Sequence, residues 1–501
     1  MDRMSPQDAM FISVEDERNP MHIGTVSVLE GPAPSYGDLV RLVASHLSSL
    51  PRYRQRVRFV PMGLGRPVWV DDPDFQILYH VRHTATPPPG SAEQLRNLAG
   101  RVFAQNLDRG KPLWELWMVE GLQDGNWALI SKVHHCMVDG VAATDLLTVL
   151  LDREPQKRPG RAQAWHAAQE PSDLQLIADA VTDAITDPMN RIRGVPAVAG
   201  AIFAAGLGMH SVTEVRNLIG SLGSWTQPTV GSLNGPIGPH RRWSWATASL
   251  DDVKEIRASL GGTVNDVVLS AVTNGFRQLL RSRGEKVAGK VVRALVPVSV
   301  RRESEKGIYN NRVSGLFPGL PVGLDRPVSR LNAIRRQMDR FKRSGQAVAG
   351  DVLVQLSGFA PPMLLAVSLR IALHAQQSLV QTVTTNVPGP QFPLYAAGRQ
   401  MFYAHPYVPI AGSVRIGIAV FSYLGLLNFG VTADYDSVPD IEVLADGIES
   451  GVADLLAAAR RNHGPRRTAK KANVRDQGHR AKSASRPLAN RRESKLNGAA
   501  K

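Results

Sequence analysis

The densest group of reactive side chains lies in the segment Lys132–Gly140, with the sequence KVHHCMVDG. A histidine has a reference pKa of about 6.5, so it can take up and return a proton near neutral pH. His135 and Asp139 are four residues apart, a spacing that brings side chains together in a helical turn. If Gly140 instead allows a sharp bend, Asp139 would point away from the imidazole and brace the loop by pairing with an arginine. The segment therefore predicts proton-transfer chemistry at its histidines.

The same residues permit other interpretations. Two adjacent histidines can be polar residues at a strand end, and Asp-Gly is a common turn dipeptide. His134, His135 and Asp139 could bind zinc, but they lack the HExxH arrangement, and adjacent residues of a strand face opposite sides. Cys136 could be a nucleophile if a histidine lowered its pKa, yet no separate oxyanion site is evident. The residue types alone leave these alternatives open, and we expect no metal site.

Apolar runs predict the elements that position the histidines. Trp127–Ile130 is typical of a strand, and Val141–Leu151 has the Ala, Leu and Val content of a buried helix. The histidines therefore lie at a strand-to-helix junction, where side chains commonly project into a cleft.

The second half of the chain shows the same mixed pattern of strands and helices. The predicted elements are a strand at Trp243–Ser249, helices at Leu250–Leu260 and Thr263–Leu280, strands at Val291–Val298 and Val380–Asn386, and a hairpin of Ile416–Tyr423 with Leu426–Thr432. Because strands and helices are interleaved in both halves, we expect an α/β fold with two layers of mixed sheet.

Two proline-bearing breaks divide the chain. Asp152–Pro171 is polar and contains three prolines, and Thr226–Pro239 holds glycine and proline at close intervals. The segment Leu174–Ile219 between them has helical periodicity. We therefore predict an N-terminal domain at 1–151, a linker and helical crossover at 152–239, a C-terminal domain at 240–459 and a basic tail at 460–501.

Composition describes an ordinary globular chain of 501 residues, 43% hydrophobic and 21% charged. Its single cysteine cannot form an intramolecular disulfide, and its acid-containing start is unlike a signal peptide, so we expect a cytoplasmic location. The tail carries fourteen basic and two acidic residues, +12 of the formal charge of +15. We expect the tail to be disordered. It could contact an anionic membrane, contact nucleic acid weakly and without specificity, or only add solubility without a dedicated partner.

Two uncharged stretches approach the length of a membrane span. These stretches, Gly194–Val212 and Val352–Leu369, both contain proline, so we predict buried or interfacial helices.

The motif HHCMVDG at His134–Gly140 resembles the HHxxxDG signature of the bacterial wax ester synthase/acyl-CoA:diacylglycerol acyltransferase family, part of the CoA-dependent acyltransferase superfamily. The resemblance extends over about Met4 to Ala459 and looks most like the mycobacterial triacylglycerol synthase branch. Further segments agree in order: SPQDAMF at Ser5–Phe11, NPMHIG at Asn19–Gly24, PLWELWMVEGL at Pro112–Leu122, LNGPIGPHRRW at Leu233–Trp243, TVNDVVLSAV at Thr263–Val272, PVSVR at Pro297–Arg301 and NVPGP at Asn386–Pro390.

The resemblance implies a fold, a reaction and a role for each residue of the motif. The fold would be two chloramphenicol-acetyltransferase-like domains joined by the helical crossover. The reaction would be transfer of a long-chain acyl group from acyl-CoA to diacylglycerol or a long-chain alcohol, without an acyl-enzyme. His135 would be the general base that takes the proton of the acceptor hydroxyl. His134 would support it, Asp139 would be structural, and Gly140 would permit the turn.

The resemblance also implies residues that bind or shape the substrate site from the second half. Asn265 and Asp266 start a predicted helix, where they would otherwise be caps, and Asn386 lies in a Pro/Gly turn. The CoA phosphates could be held by arginines around Arg301, Arg302 or Arg312. No phosphate-binding loop motif is present, so we expect no cofactor, with the CoA thioester as a substrate.

A water-insoluble acceptor implies a location at a lipid surface. We therefore expect a peripheral protein of the inner membrane or of lipid droplets. The alternatives are an acyl-CoA acyltransferase for a different small alcohol or amine, and a non-catalytic lipid- or acyl-CoA-binding protein.

Overall fold

Two sheets with packed helices make up the body of the protein. The computed structural model describes residues 2–137, 151–155, 165–186, 229–299, 313–344 and 380–463. Every described residue up to Asn462 belongs to one compact unit. The two uncharged stretches and the tail beyond residue 463 lie outside the described residues.

The N-terminal half alternates strands and helices. Its described elements are β1 (Asp2–Arg3), α1 (Pro6–Val14), β2 (His22–Leu29), α2 (Tyr36–His46), β3 (Gln55–Arg58), β4 (Val68–Asp71), α3 (Ile77–His80), β5 (Val81–Ala85), α4 (Ala92–Ala104), β6 (Trp114–Glu120), β7 (Trp127–His134) and α5 (Asp173–Thr186). A 3-10 turn, His135–Met137, follows β7 directly.

The C-terminal half has the same mixed character. Its described elements are β8 (Arg241–Ser249), α6 (Leu250–Leu260), α7 (Val264–Ser282), β9 (Val292–Ser299), β10 (Val313–Leu316), β11 (Gly319–Leu320), α8 (Pro327–Ser344), β12 (Thr382–Val387), β13 (Tyr395–Ala396), β14 (Arg399–Tyr407), β15 (Ile416–Tyr423), β16 (Leu426–Asp434) and α9 (Ile441–His463).

The first sheet has the strand order β13-β14-β2-β7-β6-β5. Strand β7 lies between β2 and β6 and is antiparallel to both, whereas β5 and β6 are parallel. The two strands β13 and β14 come from the C-terminal half, and β14 pairs with β2 from Met401 opposite Leu29 to Tyr407 opposite Gly24. The first sheet is therefore completed by residues far along the chain.

The second sheet has the order β10-β9-β12-β15-β16-β8, with β11 also paired to β9. Strand β12 is parallel to both β9 and β15, and the remaining pairs are antiparallel, so this sheet is mixed. The predicted α/β class with mixed sheets is confirmed. A small third sheet, β1-β4-β3, packs against α5 through Val60, Val68 and Leu176.

Several local predictions are confirmed. Helix α6 occupies Leu250–Leu260 as predicted, and β15 and β16 form the predicted antiparallel hairpin. Its two turn residues, Leu424 and Gly425, have φ values of 45° and 78°. Two successive positive φ values are typical of the tight turns that match strand twist, and the leucine accounts for the imperfect turn signal in the sequence.

Strand β14 also connects the two sheets. A Cβ on Gly430 of β16 would lie 1.5 Å from the carbonyl oxygen of Pro406 on β14, so the two strands meet backbone to backbone. The indole of Trp243 on β8 donates to the same carbonyl oxygen at 3.3 Å. These contacts hold the two sheets together close to the N-terminal strands that carry the histidines.

Candidate active site

The two histidines lie at the C-terminal end of β7, an interior strand of the first sheet. The strand is buried along its whole length and ends at His134, which pairs with His22 of β2. The backbone amide of His134 donates to Leu113, and that of His135 donates to Met21, each at 2.9 Å. Because the 3-10 turn begins at His135, the two neighbouring imidazoles enter different surroundings.

His134 is fully buried, and its ring nitrogens both face polar groups. Nδ1 accepts the backbone N–H of Cys136 at 3.1 Å, and the Sγ atom of Cys136 lies 2.9 Å from the same nitrogen. Since Nδ1 is an acceptor, the neutral ring carries its proton on Nε2. Nε2 lies 3.5 Å from Oε1 of Glu15. This ring is therefore held in one tautomer with its lone pair already engaged.

The buried carboxylate of Glu15 forms an ion pair behind His134 with the partly exposed Arg109. Oε2 of Glu15 accepts from Nε and Nη2 of Arg109 at 3.0 Å each, and Oε1 accepts the backbone N–H of Met21 at 3.0 Å. Burial acts to raise the pKa of Glu15, but His134, the Met21 amide and Arg109 outweigh it and hold the pKa below its usual range. The carboxylate is therefore ionised at neutral pH.

The ion pair also connects backbone segments around the histidines. Nη2 of Arg109 donates to the carbonyl oxygens of Ile12 and Glu15 at the end of α1, at 3.0 and 3.1 Å. The amide of Met21 is bound by Glu15, and its carbonyl oxygen accepts from His135. A continuous path of hydrogen bonds thus runs from Arg109 to the backbone of His135.

Sequence analysis did not identify Glu15 or Arg109. Neither residue belongs to a motif with a known spacing to the histidines, and Glu15 precedes His134 by more than a hundred residues. The only local signal is the position of Glu15 at the end of a capped apolar helix, which does not predict its partner.

His135 has an apolar neighbour in place of a carboxylate. Its ring stacks on Phe11 of α1, with the ring centroids 3.9 Å apart and the planes at 16°. Nδ1 is buried and makes no hydrogen bond to another of the described residues. Burial lowers the pKa of His135 to about 4, an interaction with its own backbone acts to raise it, and His134 lowers it further. The ring is therefore neutral at pH 7.

Two of the residues predicted from the second half lie together. The amide nitrogen of Asn386 at the end of β12 lies 3.4 Å from the amide oxygen of Asn265 in the first turn of α7. Asp266 points to the start of its own helix, where one oxygen accepts from the amide and hydroxyl of Thr263 at 2.8 and 2.9 Å. This capping box gives Asp266 a local structural contact, and the two asparagines form a polar pair.

One apolar cluster borders both sets of residues. Met137, two residues after His135, packs against a group of buried side chains that includes Leu151, Phe421 and Tyr423. Val387, the neighbour of Asn386, packs against the same group. Asp139, Gly140, Arg301, Arg302 and Arg312 lie outside the described residues.

Neither a metal site nor a membrane span is found within the described ranges. No group of three or more His, Cys, Asp or Glu residues there is arranged to hold a metal ion. The helices of those ranges are too short or too polar to cross a bilayer.

Comparisons with known proteins agree over both halves of the chain. Residues 4–268 match the family model of the wax ester synthase/diacylglycerol acyltransferase catalytic domain, and residues 309–455 match that of the WS/DGAT C-terminal domain. A probable diacylglycerol O-acyltransferase of Mycobacterium tuberculosis is 38% identical over 469 residues, which cover 93% of this chain and 98% of the relative. A putative diacylglycerol O-acyltransferase of Mycobacterium bovis has the same identity and coverage.

A solved structure shares the fold. The wax ester synthase/diacylglycerol acyltransferase of Marinobacter aquaeolei VT8 superposes with a TM-score of 0.64 at 24% sequence identity, covering 91% of this chain and 100% of the other. The match extends over both sheets, in agreement with the two-sheet α/β architecture described above.

Proposed function

This chain belongs to the wax ester synthase/diacylglycerol acyltransferase family, and on that premise we propose that it esterifies diacylglycerol or a long-chain alcohol with His135 as general base. It is an acyl-CoA-dependent O-acyltransferase of the diacylglycerol O-acyltransferase and wax ester synthase class, in agreement with both family models and its 38% identical relatives. Acyl-CoA is a substrate, and direct transfer from a thioester uses no further cofactor.

The observation that supports His135 as the base is the difference between the two histidines. The Nδ1 lone pair of His134 already accepts a backbone N–H, and its Nε2 faces the carboxylate of Glu15. His135 is neutral at pH 7 because its pKa is about 4, and no other described residue donates a hydrogen bond to its Nδ1. Nδ1 is therefore free to carry the ring proton, which leaves the lone pair on Nε2. A neutral imidazole can accept a proton, so His135 is assigned the proton transfer and His134 a supporting role.

The proposed reaction passes through one tetrahedral intermediate. Nε2 of His135 takes the proton of the acceptor hydroxyl as its oxygen bonds to the thioester carbonyl carbon. The carbon–sulfur bond then breaks, and the imidazolium gives the proton to the departing CoA thiolate. A positioned general base contributes roughly 10²–10⁴-fold to the rate, and alignment of the two substrates and stabilisation of the tetrahedral oxyanion contribute the rest.

The other site residues are assigned from the family resemblance. Asp139 keeps a structural role, Gly140 permits the turn, and the asparagine pair Asn265 and Asn386 contacts substrate, supported by their 3.4 Å approach. Asp266 shapes the same helix start. We also propose the division into 1–151, 152–239, 240–459 and 460–501. Strand β14 joins the first sheet across this division, and residues 460–463 still belong to α9.

The acceptors are water-insoluble, so we propose that the enzyme works peripherally on the inner membrane or on lipid droplets. An exposed apolar loop between β3 and β4 supports this location: Phe59, Met62 and Leu64 are 45%, 77% and 49% exposed. No charged residue lies between Arg58 and Arg66. Exposed apolar side chains grouped in this way are typical of lipid or protein contact.

The reaction is tested by thiol release from palmitoyl-CoA with diacylglycerol, hexadecanol or no acceptor. The wild-type protein and the variant His83→Ala, which removes an exposed histidine, release CoA in the presence of an acceptor, and His135→Ala does not. Release that persists in folded His135→Ala would exclude this residue as the base. Release by none of the proteins would favour a binding role.

Lipid association is tested separately by flotation with phosphatidylcholine vesicles that contain diacylglycerol. The double variant Met62→Asp/Leu64→Asp floats less than wild type, because charged side chains do not enter an apolar phase. The variant Leu78→Asp changes another exposed leucine and floats as wild type does. Equal flotation of all three proteins would show that the loop between β3 and β4 does not contact the lipid.

A further inference from the structure

Among the described residues, none gives the ring of His135 the polar partner that usually orients a general base. Its buried Nδ1 makes no hydrogen bond to another described residue, whereas in many catalytic sites a carboxylate fixes the imidazole through this atom. Rotation of a histidine ring about its terminal torsion has broad minima. Within the described part of the chain, the orientation of this ring is therefore limited by something other than a hydrogen bond to Nδ1.

Phe11 is placed to supply that limit. It covers one face of the imidazole at 3.9 Å and nearly parallel, so rotation of the ring would drive its edge into the phenyl group. Phe11 is itself only partly buried. The apolar packing of α1 is carried instead by Ala9 and Ile12, which are buried in one cluster with Cys136. Phe11 is thus not needed to fill the core.

The sequence of α1 fixes Phe11 against the turn that carries His135. Ser5 is the N-cap and accepts the backbone N–H of Asp8 at 3.2 Å, and Pro6 begins the helix. At the other end, Glu15 binds the Met21 amide, and Met21 accepts from the amide of His135. Both ends of the helix are therefore tied, one by its cap and the other to the histidine backbone.

We infer that Phe11 is the positioning residue of His135 and orients the imidazole by stacking on it. In other catalytic sites a carboxylate does this by a hydrogen bond. The inference rests on the proposed role of His135 as base. A face-on phenyl ring also favours the imidazolium that forms when the acceptor proton is taken up, because the negative face of the ring attracts a cation. The phenyl ring contacts neither substrate in this proposal and acts through His135.

The test distinguishes the effect of the aromatic ring of Phe11 from the effect of the volume that its side chain fills. Phe11→Leu removes the ring, and Phe11→Tyr keeps it. We expect Phe11→Leu to lower kcat by about 10- to 100-fold, with KM within about threefold of wild type, because a small misplacement of the base costs about that much. Phe11→Tyr keeps kcat within about threefold. The control Phe75→Leu breaks another phenylalanine–histidine stack, with His80, and leaves kcat unchanged.

A second measurement reports the stack directly. The Cε1 proton of His135, identified by its absence in His135→Ala, belongs to a ring that stacks on Phe11, so we expect the phenyl ring current to shift its resonance upfield. We expect this shift to be lost in Phe11→Leu and kept in Phe11→Tyr. If Phe11→Leu does not fold, Phe11→Met replaces it, since it also lacks a ring and fills a similar volume.

The outcomes distinguish this inference from the function on which it rests. A wild-type kcat in folded Phe11→Leu, or an equal loss in Phe11→Leu and Phe11→Tyr, overturns the positioning role and leaves His135 as the base. Acceptor-dependent release that persists in His135→Ala overturns the base assignment itself.

Discussion

The two neighbouring histidines are held by opposite means. His134 lies in a polar environment, with a backbone amide on one nitrogen and the Glu15–Arg109 ion pair facing the other. His135 lies against a phenyl ring, and burial keeps it neutral. The polar environment engages Nδ1 of His134 as an acceptor, whereas the phenyl ring covers one face of His135 and offers its nitrogens no hydrogen bond. The proposed division of roles between the two histidines rests on this difference.

The largest effects are expected when each histidine is replaced in turn by alanine. His135→Ala lowers kcat by about 10²–10⁴-fold, the contribution of a positioned base, and changes stability little. His134→Ala removes groups that face Glu15 and Cys136, so we expect it to lower the free energy of unfolding by about 1–3 kcal/mol. Denaturant unfolding of both variants measures the free energy of unfolding, and their single-turnover rates measure the loss of catalysis. Equal effects of the two variants on both quantities would contradict the division of roles.

The next largest effect is expected at the ion pair. Arg109→Met removes the guanidinium and leaves the buried carboxylate of Glu15 with the Met21 amide and His134 as partners. We expect a loss of about 2–3 kcal/mol in the free energy of unfolding, below the range for fully buried pairs because Arg109 is partly exposed. Arg41→Met, at an exposed ion pair with Asp38, is the control and changes stability by less than about 1 kcal/mol.

Acid titration separates the polar environment from the apolar one. The pKa of Glu15 is lowered in the folded protein, so its contribution to stability is complete above the unfolded pKa of 4.5 and is lost as the pH falls through the folded value. The stability difference between wild type and Glu15→Gln should therefore shrink from pH 6 to pH 3, as measured by denaturant unfolding at each pH. A difference that is constant over this range would show that the Glu15 charge contributes nothing.

The pH dependence of kcat tests the apolar environment of His135. With a pKa of about 4, His135 stays neutral well below the value at which an exposed histidine is protonated. We expect kcat to be constant between pH 6 and pH 8, measured for the wild-type protein over the range in which it stays folded. A fall in kcat with a midpoint near pH 6.5 would contradict the buried, neutral base.

Local patterns predicted much of this site because its elements follow local rules. The strand at Trp127–Ile130, the helix at Thr263–Leu280 and the strand at Val380–Asn386 were predicted from the sequence, and β7, α7 and β12 lie there. The structure extends β7 to His134 and makes Thr263 the N-cap of α7. The partners of the histidines were not predicted, because Glu15, Phe11 and Arg109 reach them through the folding of distant segments. The exchange of β14 into the first sheet was missed for the same reason, since strand pairing across the chain has no local signal.

The smallest effect is expected at Cys136, between the two environments. Its thiol is buried, and burial together with the charges of Asp8 and Glu15 raises its pKa well above the usual value, so little thiolate exists at neutral pH. The bond that holds His134 comes from the backbone amide of Cys136, which any residue supplies. Cys136→Ala should therefore keep kcat within about threefold and lower stability by about 1 kcal/mol. Loss of activity in this variant, or rapid alkylation of the thiol in the folded protein, would instead support Cys136 as a nucleophile, the alternative that the residue types left open.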